Sequence, residues 1–189
     1  MDPLKILSID PGIINLGYVF IHVIDKTPKV IECGRVNITL MRHSKVKYCS
    51  CTLHHDFCIP DYLDHFVQEH QQIFDDADVL LLERQPPQGL MNVQDLLFSR
   101  FRNKVKLISP NSLHKHFKMD TNYLVRKEQS EKLTEKYLDL FTSFNENDRK
   151  HDISDALLLA LYYIEKNKPK VVKIIHDFEQ YRYTGILQK

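Results

Sequence analysis

The chain has no apolar run of the ~18 to 20 residues needed to cross a bilayer. Its longest uncharged stretch, Pro11–Ile24, is interrupted by Gly12, Asn15, Gly17 and His22. The start, Met1–Lys5, lacks the basic cluster, apolar middle and small-residue cleavage site of a secretion signal. A soluble intracellular protein is therefore expected. Internal repeats, low-complexity tracts and a domain-splitting linker are also missing, so the 189 residues read as one domain over 1–189. Hydrophobic residues make up 43% and charged residues 27%, ordinary globular proportions. That excludes a disordered or collagen-like chain and leaves apolar mass for a real core. Net charge is only +1, which excludes a protein coated in positive charge.

What charge there is lies unevenly. Residues 56–95 hold nine acids and one base, Arg84, for a net −8. Residues 100–136 hold ten bases and four acids, for a net +6. A single-sign block of this kind suits a polyanion such as nucleic acid. A solvated, salt-bridged helix face accounts for it equally well, and charge alone does not decide between them.

The pattern of elements is more informative. Lys5–Asp10 reads as a short buried strand, and Pro11-Gly12 as the turn that ends it. Second and third strands follow near Leu16–Ile24 and Lys29–Ile38, with Pro28 and Gly34 marking turn or bulge positions. Helices are expected over Pro60–Phe74, Asn92–Asn103, Ser112–Phe117, Val125–Phe141 and Asp152–Glu165. Apolar strands at Val79–Glu83 and Val105–Ser109 lie between them. The order βββ-α-β-α-β-α-α-α predicts an antiparallel meander that continues into parallel strands covered by helices, a mixed five-stranded α/β sheet.

Four acids fall at telling places in that order. Asp10 ends the first strand, and Glu83 ends the most apolar strand in the chain. Asp152 and Asp155 open the last helix three residues apart, on one face. Each has an ordinary explanation taken singly: a turn residue, a rim charge, a helix-capping or first-turn acid. Jointly they point elsewhere. Sites in open α/β sheets form at the carboxyl ends of the strands. If the first and fourth strands are parallel neighbours, Asp10 and Glu83 emerge side by side, and a helix start packed over that edge adds two more carboxylates. Four clustered anions are costly to desolvate unless cations join them. An all-oxygen donor set suits Mg2+ or Mn2+ rather than zinc. Two such ions ~3.5 to 4 Å apart can activate water and stabilise the leaving oxygen of a phosphodiester.

These residues carry a resemblance. Asp10-Pro-Gly12 with Asn15 and Gly17, then Leu-Leu-Leu-Glu83-Arg84-Gln85-Pro86, then Ser109-Pro110, then His151-Asp152-x-x-Asp155-Ala156 occur in the order seen in RuvC-like Holliday junction resolvases. The pattern resembles most the poxvirus-type resolvases of large DNA viruses, over roughly residues 5–165. The resemblance implies a ribonuclease H-like fold with helices on both faces of the sheet. It implies a homodimeric, metal-dependent endonuclease that nicks four-way DNA junctions symmetrically, in the host cytoplasm where such viruses replicate. Asp10, Glu83, Asp152 and Asp155 would bind two Mg2+ (or Mn2+) ions. The family's active-site lysine would be Lys127, with Lys132 as the alternative. A lysine ammonium there could stabilise charge on the phosphorane.

Two stretches depart from the family pattern. Bacterial members carry a wedging Phe shortly after the strand-four acid, where this chain has Pro86-Pro87; Leu90 or Met91 is the candidate wedge, or simply packs under the loop. Residues 40–60 form a Cys- and His-rich insertion. Cys49, Cys51, Cys58 and either His54 or His55 offer a Cys3His zinc set, against the alternative of reduced cysteines with surface histidines. Leu96, Leu97, Phe98 and Phe101 are candidates for a dimer seam or for ordinary core. The tail lysines Lys166, Lys168, Lys170 and Lys173 either track phosphates or are simply solvated.

A ribonuclease H acting on RNA–DNA hybrids, or another branched-DNA nuclease, uses the same fold. Actin-like ATPases share Asp-x-Gly on a first strand but need two domains and glycine-rich loops, and this chain has five glycines in all. A DNA-binding module with decayed acids is disfavoured because all four acids are present.

Overall fold

The computed structural model describes residues 2–40, 58–87 and 91–184, with side chains to residue 167. The elements in order are β1 (Leu4–Asp10), β2 (Leu16–Ile24), β3 (Thr27–Val36), a 3-10 turn (Ile38–Leu40), α1 (Ile59–Glu69) and α2 (Gln71–Asp76). Then follow β4 (Val79–Glu83), α3 (Met91–Arg100), β5 (Val105–Ile108), α4 (Pro110–Phe117), α5 (Tyr123–Leu138), α6 (Thr142–Asn145) and α7 (Lys150–Thr184). The five strands lie in the order β3-β2-β1-β4-β5. β1, β2 and β3 pair antiparallel, whereas β1–β4 and β4–β5 are parallel. The mixed sheet expected from the element order is the sheet observed.

Alternation along the strands splits the core in two. Ile6, Val19, Ile21 and Leu81 face one way, onto Leu157 and Leu158 of α7 with α4, α5 and α6 beside it. Leu7, Ile9, Phe20, Leu80 and Leu82 face the other way, onto α1, α2 and α3. Helices therefore cover both faces.

Several local expectations need correction. The β2–β3 connection is the two-residue turn Asp25-Lys26, both in the left-handed region (φ 46° and 67°), as a type I′ hairpin turn requires. Pro28 sits within β3, opposite Val23; it is tolerated there because β3 is an edge strand. The bulge falls at Ile31, between the pairs Phe20–Glu32 and Ile21–Val30, rather than at Gly34. The helix expected over Pro60–Phe74 breaks at His70 (φ −106°, ψ 20°), so that α2 starts afresh. α7 runs to Thr184, and much of what reads as a tail continues the helix. Among the described residues no helix is long and apolar enough to cross a membrane.

Candidate active site

Register fixes the first two acids. Ile9 stands opposite Leu82 in the parallel β1–β4 ladder, so the next residues along, Asp10 and Glu83, are neighbours at the carboxyl edge. Alternation assigns their face. Asp10 shares parity with Ile6, and Glu83 with Leu81, so both carboxylates project to the side that α7 covers.

A glycine brings the other two acids to the same edge. Gly17 is the antiparallel partner of Asp10. A Cβ at Gly17 would stand 2.0 Å from the backbone oxygen of Asp152, a distance no real side chain tolerates. Only glycine lets the first turn of α7 rest on β2 at this point. Asp152 and Asp155 then lie one turn apart on α7, Asp152 only 4% exposed and Asp155 half-buried.

Helix α5 packs along α7 and supplies partners. Lys127 forms an ion pair and hydrogen bond with Asp155 Oδ2. The Ser130 hydroxyl donates to Asp155 Oδ1 at 2.6 Å. Lys127 and Ser130 are three residues apart, on one face of α5. One turn further, the Thr134 and Ser154 hydroxyls meet at 2.8 Å. Asp152 is held from the start of its own helix and the turn before it: Arg149 Nε donates to Oδ2 at 2.8 Å, and His151 Nε2 lies 3.3 Å from Oδ1.

The acids act on one another. Burial, followed by the charges of Glu83, Asp155 and Asp152, raises the Asp10 carboxyl well above the usual carboxylate range, with Lys127 as partial offset. Burial and then Asp155 push Glu83 up to about 7, against the lowering pull of Lys127, a 3.4 Å contact from the Gln85 amide, and Arg126. Burial works to strip the proton from Lys127, but Asp155 and Asp10 outweigh it and raise its pKa, so the ammonium stays charged.

The donor chemistry of this edge is all oxygen, which fits a hard divalent cation. The raised Asp10 and Glu83 mark a charge balance that a cation would relieve. Among the described residues, no three carboxylate, imidazole or thiol groups already form a cage. Lys127 draws Asp155 and Arg149 draws Asp152 toward protein cations instead.

Of the candidate residues, Asp10, Glu83, Lys127, Asp152 and Asp155 come together. Lys132 does not: it is exposed on the flank of α5, beside Glu131, Phe144 and Lys150. Met91 opens α3 half-buried, and Leu90 lies outside the described residues. So do Cys49, Cys51, His54 and His55; of the zinc candidates only Cys58 is described, as a free thiol before α1. Of the lysines after α7's buried part, Lys166 lies over the Tyr162 ring, while the side chains of Lys168, Lys170 and Lys173 lie outside the described residues. Leu97 is fully buried and Phe101 stacks on Phe74 at 4.8 Å, so the core uses both, which leaves Leu96 and Phe98 nearer the surface.

Sequence reasoning missed Ser130, Arg149, Tyr123 and Gln94. Ser130 and Arg149 were findable, since each stands three residues from a candidate, Ser130 on the same helix as Lys127 and Arg149 in the turn that leads into α7. The Tyr123 ring covers the Lys127 ammonium at 5.3 Å. Gln94, 5% exposed, accepts from the Gln85 backbone N–H at 2.7 Å and ties the stretch after Glu83 to α3. No local pattern announces that pairing.

The poxvirus A22 protein family matches residues 5–167 of this chain. Among solved structures, the fowlpox virus resolvase in complex with substrate Holliday junction DNA is similar with a TM-score of 0.62 at 20% identity, covering 86% of this chain and 97% of that one. The yeast mitochondrial Holliday junction resolvase gives 0.59 at 18%, covering 84% and 78%. Thermus thermophilus RuvC in complex with a Holliday junction substrate gives 0.53 at 15%, covering 84% and 90%. At these identities the likeness establishes the fold, which is ribonuclease H-like. No curated protein sequence matches the chain.

Proposed function

Because this chain belongs to the poxvirus A22 protein family, we propose that it is a Holliday junction resolvase, an endonuclease that resolves four-way DNA junctions by symmetric phosphodiester hydrolysis. One observation carries the reading. Asp10, Glu83, Asp152 and Asp155, far apart in sequence, share one sheet edge with a lysine that stays charged. That is a phosphodiester-cutting constellation rather than a nucleotide-binding or purely structural one.

In this reading Asp10, Glu83, Asp152 and Asp155 hold the divalent cations, Mg2+ or Mn2+ by donor type. Bound there, the ions would supply water activation and stabilise the leaving oxygen. The chain's own residues do the rest. Lys127 sets a positive charge where charge builds on the phosphorus oxygens. Ser130 and Arg149 are positioning residues, fixing the rotamers of Asp155 and Asp152 respectively. The basic block over 100–136 holds the DNA backbone. A junction presents two equivalent strands, so a two-fold homodimer matches it. The flank between α1 and α3, where Leu63, Leu96 and Arg100 line a groove, is the surface we assign to that contact. We assign the activity to the host cytoplasm on the same premise.

The test is cleavage of a mobile four-way junction beside plain duplex, flap and RNA–DNA hybrid, with Mg2+ or Mn2+. Wild type should nick the junction in two symmetry-related strands and leave duplex intact. Asp152→Asn should bind the junction without cutting it. Preferential digestion of the hybrid would make the protein a ribonuclease H, and cutting by Asp152→Asn would overturn the metal assignment.

A further inference from the structure

Helix α5 opens on three consecutive apolar residues that water should not favour. Tyr123, Leu124 and Val125 are 54%, 70% and 40% exposed. This is not fraying: the Asn122 side chain caps the turn, its Oδ1 accepting from Leu124 N at 3.0 Å and Val125 N at 3.4 Å. A firmly held turn that presents apolar side chains to solvent marks a contact surface.

Its neighbours say what it contacts. Lys127, one turn on, reaches Asp155 of the acid cluster. The Tyr123 ring lies over the Lys127 ammonium at 5.3 Å and the Arg126 guanidinium at 5.7 Å. Its hydroxyl also acts electrostatically on Arg149, the residue that holds Asp152. The apolar turn therefore stands at the lip of the phosphodiester site. Its surroundings are cationic, within a block of ten bases against four acids. Apolar side chains ringed by cations match a nucleic acid, whose phosphates meet the cations and whose base faces meet the apolar groups. Continuous duplex keeps those faces stacked on one another. They become available where stacking is interrupted, as at a branch point.

We propose that Leu124, supported by Tyr123, packs against the unstacked bases at the branch point next to the scissile phosphate, and that part of the preference for junctions over duplex arises there. This rests on the resolvase reading above and adds the contact that reads the branch.

The experiment uses Asp152→Asn protein, which should bind without cutting, a junction carrying 2-aminopurine at the exchange point, and a duplex of the same sequence. Adding Leu124→Ala should weaken junction binding roughly 5- to 10-fold, the scale of one lost base contact, and abolish the 2-aminopurine fluorescence rise. Duplex affinity should move by less than about 2-fold, since phosphate contacts are untouched. At 70% exposure Leu124 contributes little to folding, and an unchanged melting temperature checks that. Equal weakening toward junction and duplex, or none toward either, overturns the proposal. So does a change in oligomeric state with binding intact, which would make the turn a contact between copies. If Asp152→Asn protein itself shows no preference for junctions, the resolvase reading falls and this inference with it. If that preference is present and survives Leu124→Ala, this inference alone falls.

Discussion

The two faces of the sheet are built from the same five strands yet do different work. Under α1, α2 and α3 the packing is aromatic and aliphatic: Phe66 meets Tyr18 and Phe74 edge-on, and Phe74 stacks on Phe101. Among the described residues, the buried polar side chains on that side are His65 and Gln94. Under α5 and α7 the buried polar set is Ser8, Ser130, Thr134, Asp152 and Ser154, and the acid cluster opens at its edge. A single step along a strand separates the two regimes. Ile9 and Leu82 serve the first face; Asp10 and Glu83, the next residues, serve the second. Apolar packing is non-directional and forgiving. Directional polar contacts fix rotamers, and chemistry needs fixed rotamers. On the proposed function, one sheet supports a stability face and a reaction face, which mutation should be able to separate.

Asp10→Asn gives the largest expected effect and breaks only the reaction face. Losing one carboxylate of the proposed cation-binding set should remove several kcal/mol of transition-state stabilisation, on the order of a 10³-fold fall in junction cleavage. Stability should not fall with it. The native Asp10 carboxyl is raised by burial and by three like charges, so its ionised form opposes folding near neutral pH. Removing that charge should hold or raise the melting temperature. A drop in both activity and melting temperature would mean that the acids also support the fold, and the division would fail.

Phe66→Ala is the converse. Phe66 is fully buried on the far side of the sheet from the acids. Its truncation should cost about 3 to 5 kcal/mol, read by denaturant or thermal unfolding. Cleavage per folded molecule should stay within roughly 2-fold of wild type well below the melting temperature, because no contact of Phe66 reaches the site. Loss of cleavage at full folding would show that the faces are mechanically coupled.

How far this division was readable beforehand differs between the faces. The mixed sheet was legible from the order of elements, and the meeting of Asp10 with Glu83 was legible once the first and fourth strands were taken as parallel neighbours, because apolar strands ending in acids carry their meaning locally. β2 and β4 fell where the apolar pattern placed them. The turn at Asp25-Lys26 was not legible: type I′ geometry ordinarily announces itself with Asn-Gly, and here non-glycine residues adopt it. The choice of Lys127 over Lys132 needed the third dimension, since the two stand five residues apart on α5 and only packing against α7 tells them apart. Gly17 read as part of a motif, but its reason, the 2.0 Å approach of the Asp152 backbone, is a contact across 135 residues of sequence. Local patterns register periodicity and turn chemistry. They do not register which helix lies on which strand.

The smallest expected effect sharpens the same comparison through pH. Glu83 is raised from an ordinary value of 4.5 to about 7, and Asp10 is raised with it. A carboxyl raised by folding holds its proton more tightly in the native state. Its contribution is therefore intact below the ordinary value and is lost as pH climbs toward the raised one. Without divalent cations the protein should lose stability across the window from about pH 4.5 to 7, by about 1 to 2 kcal/mol after allowing for the solvent that reaches Glu83. A cation occupies the place of the proton and binds only the ionised form. The melting-temperature gain from Mg2+ or Mn2+ should therefore be small near about pH 5 and larger near about pH 8. Phe66→Ala should lower the whole curve and keep that pH-dependent gain, since the aromatic it removes carries no titrating group. Glu83→Gln should flatten it. A gain independent of pH in wild type would mean that the ions bind elsewhere, and the reaction face would lose its assigned chemistry while the stability face kept its own.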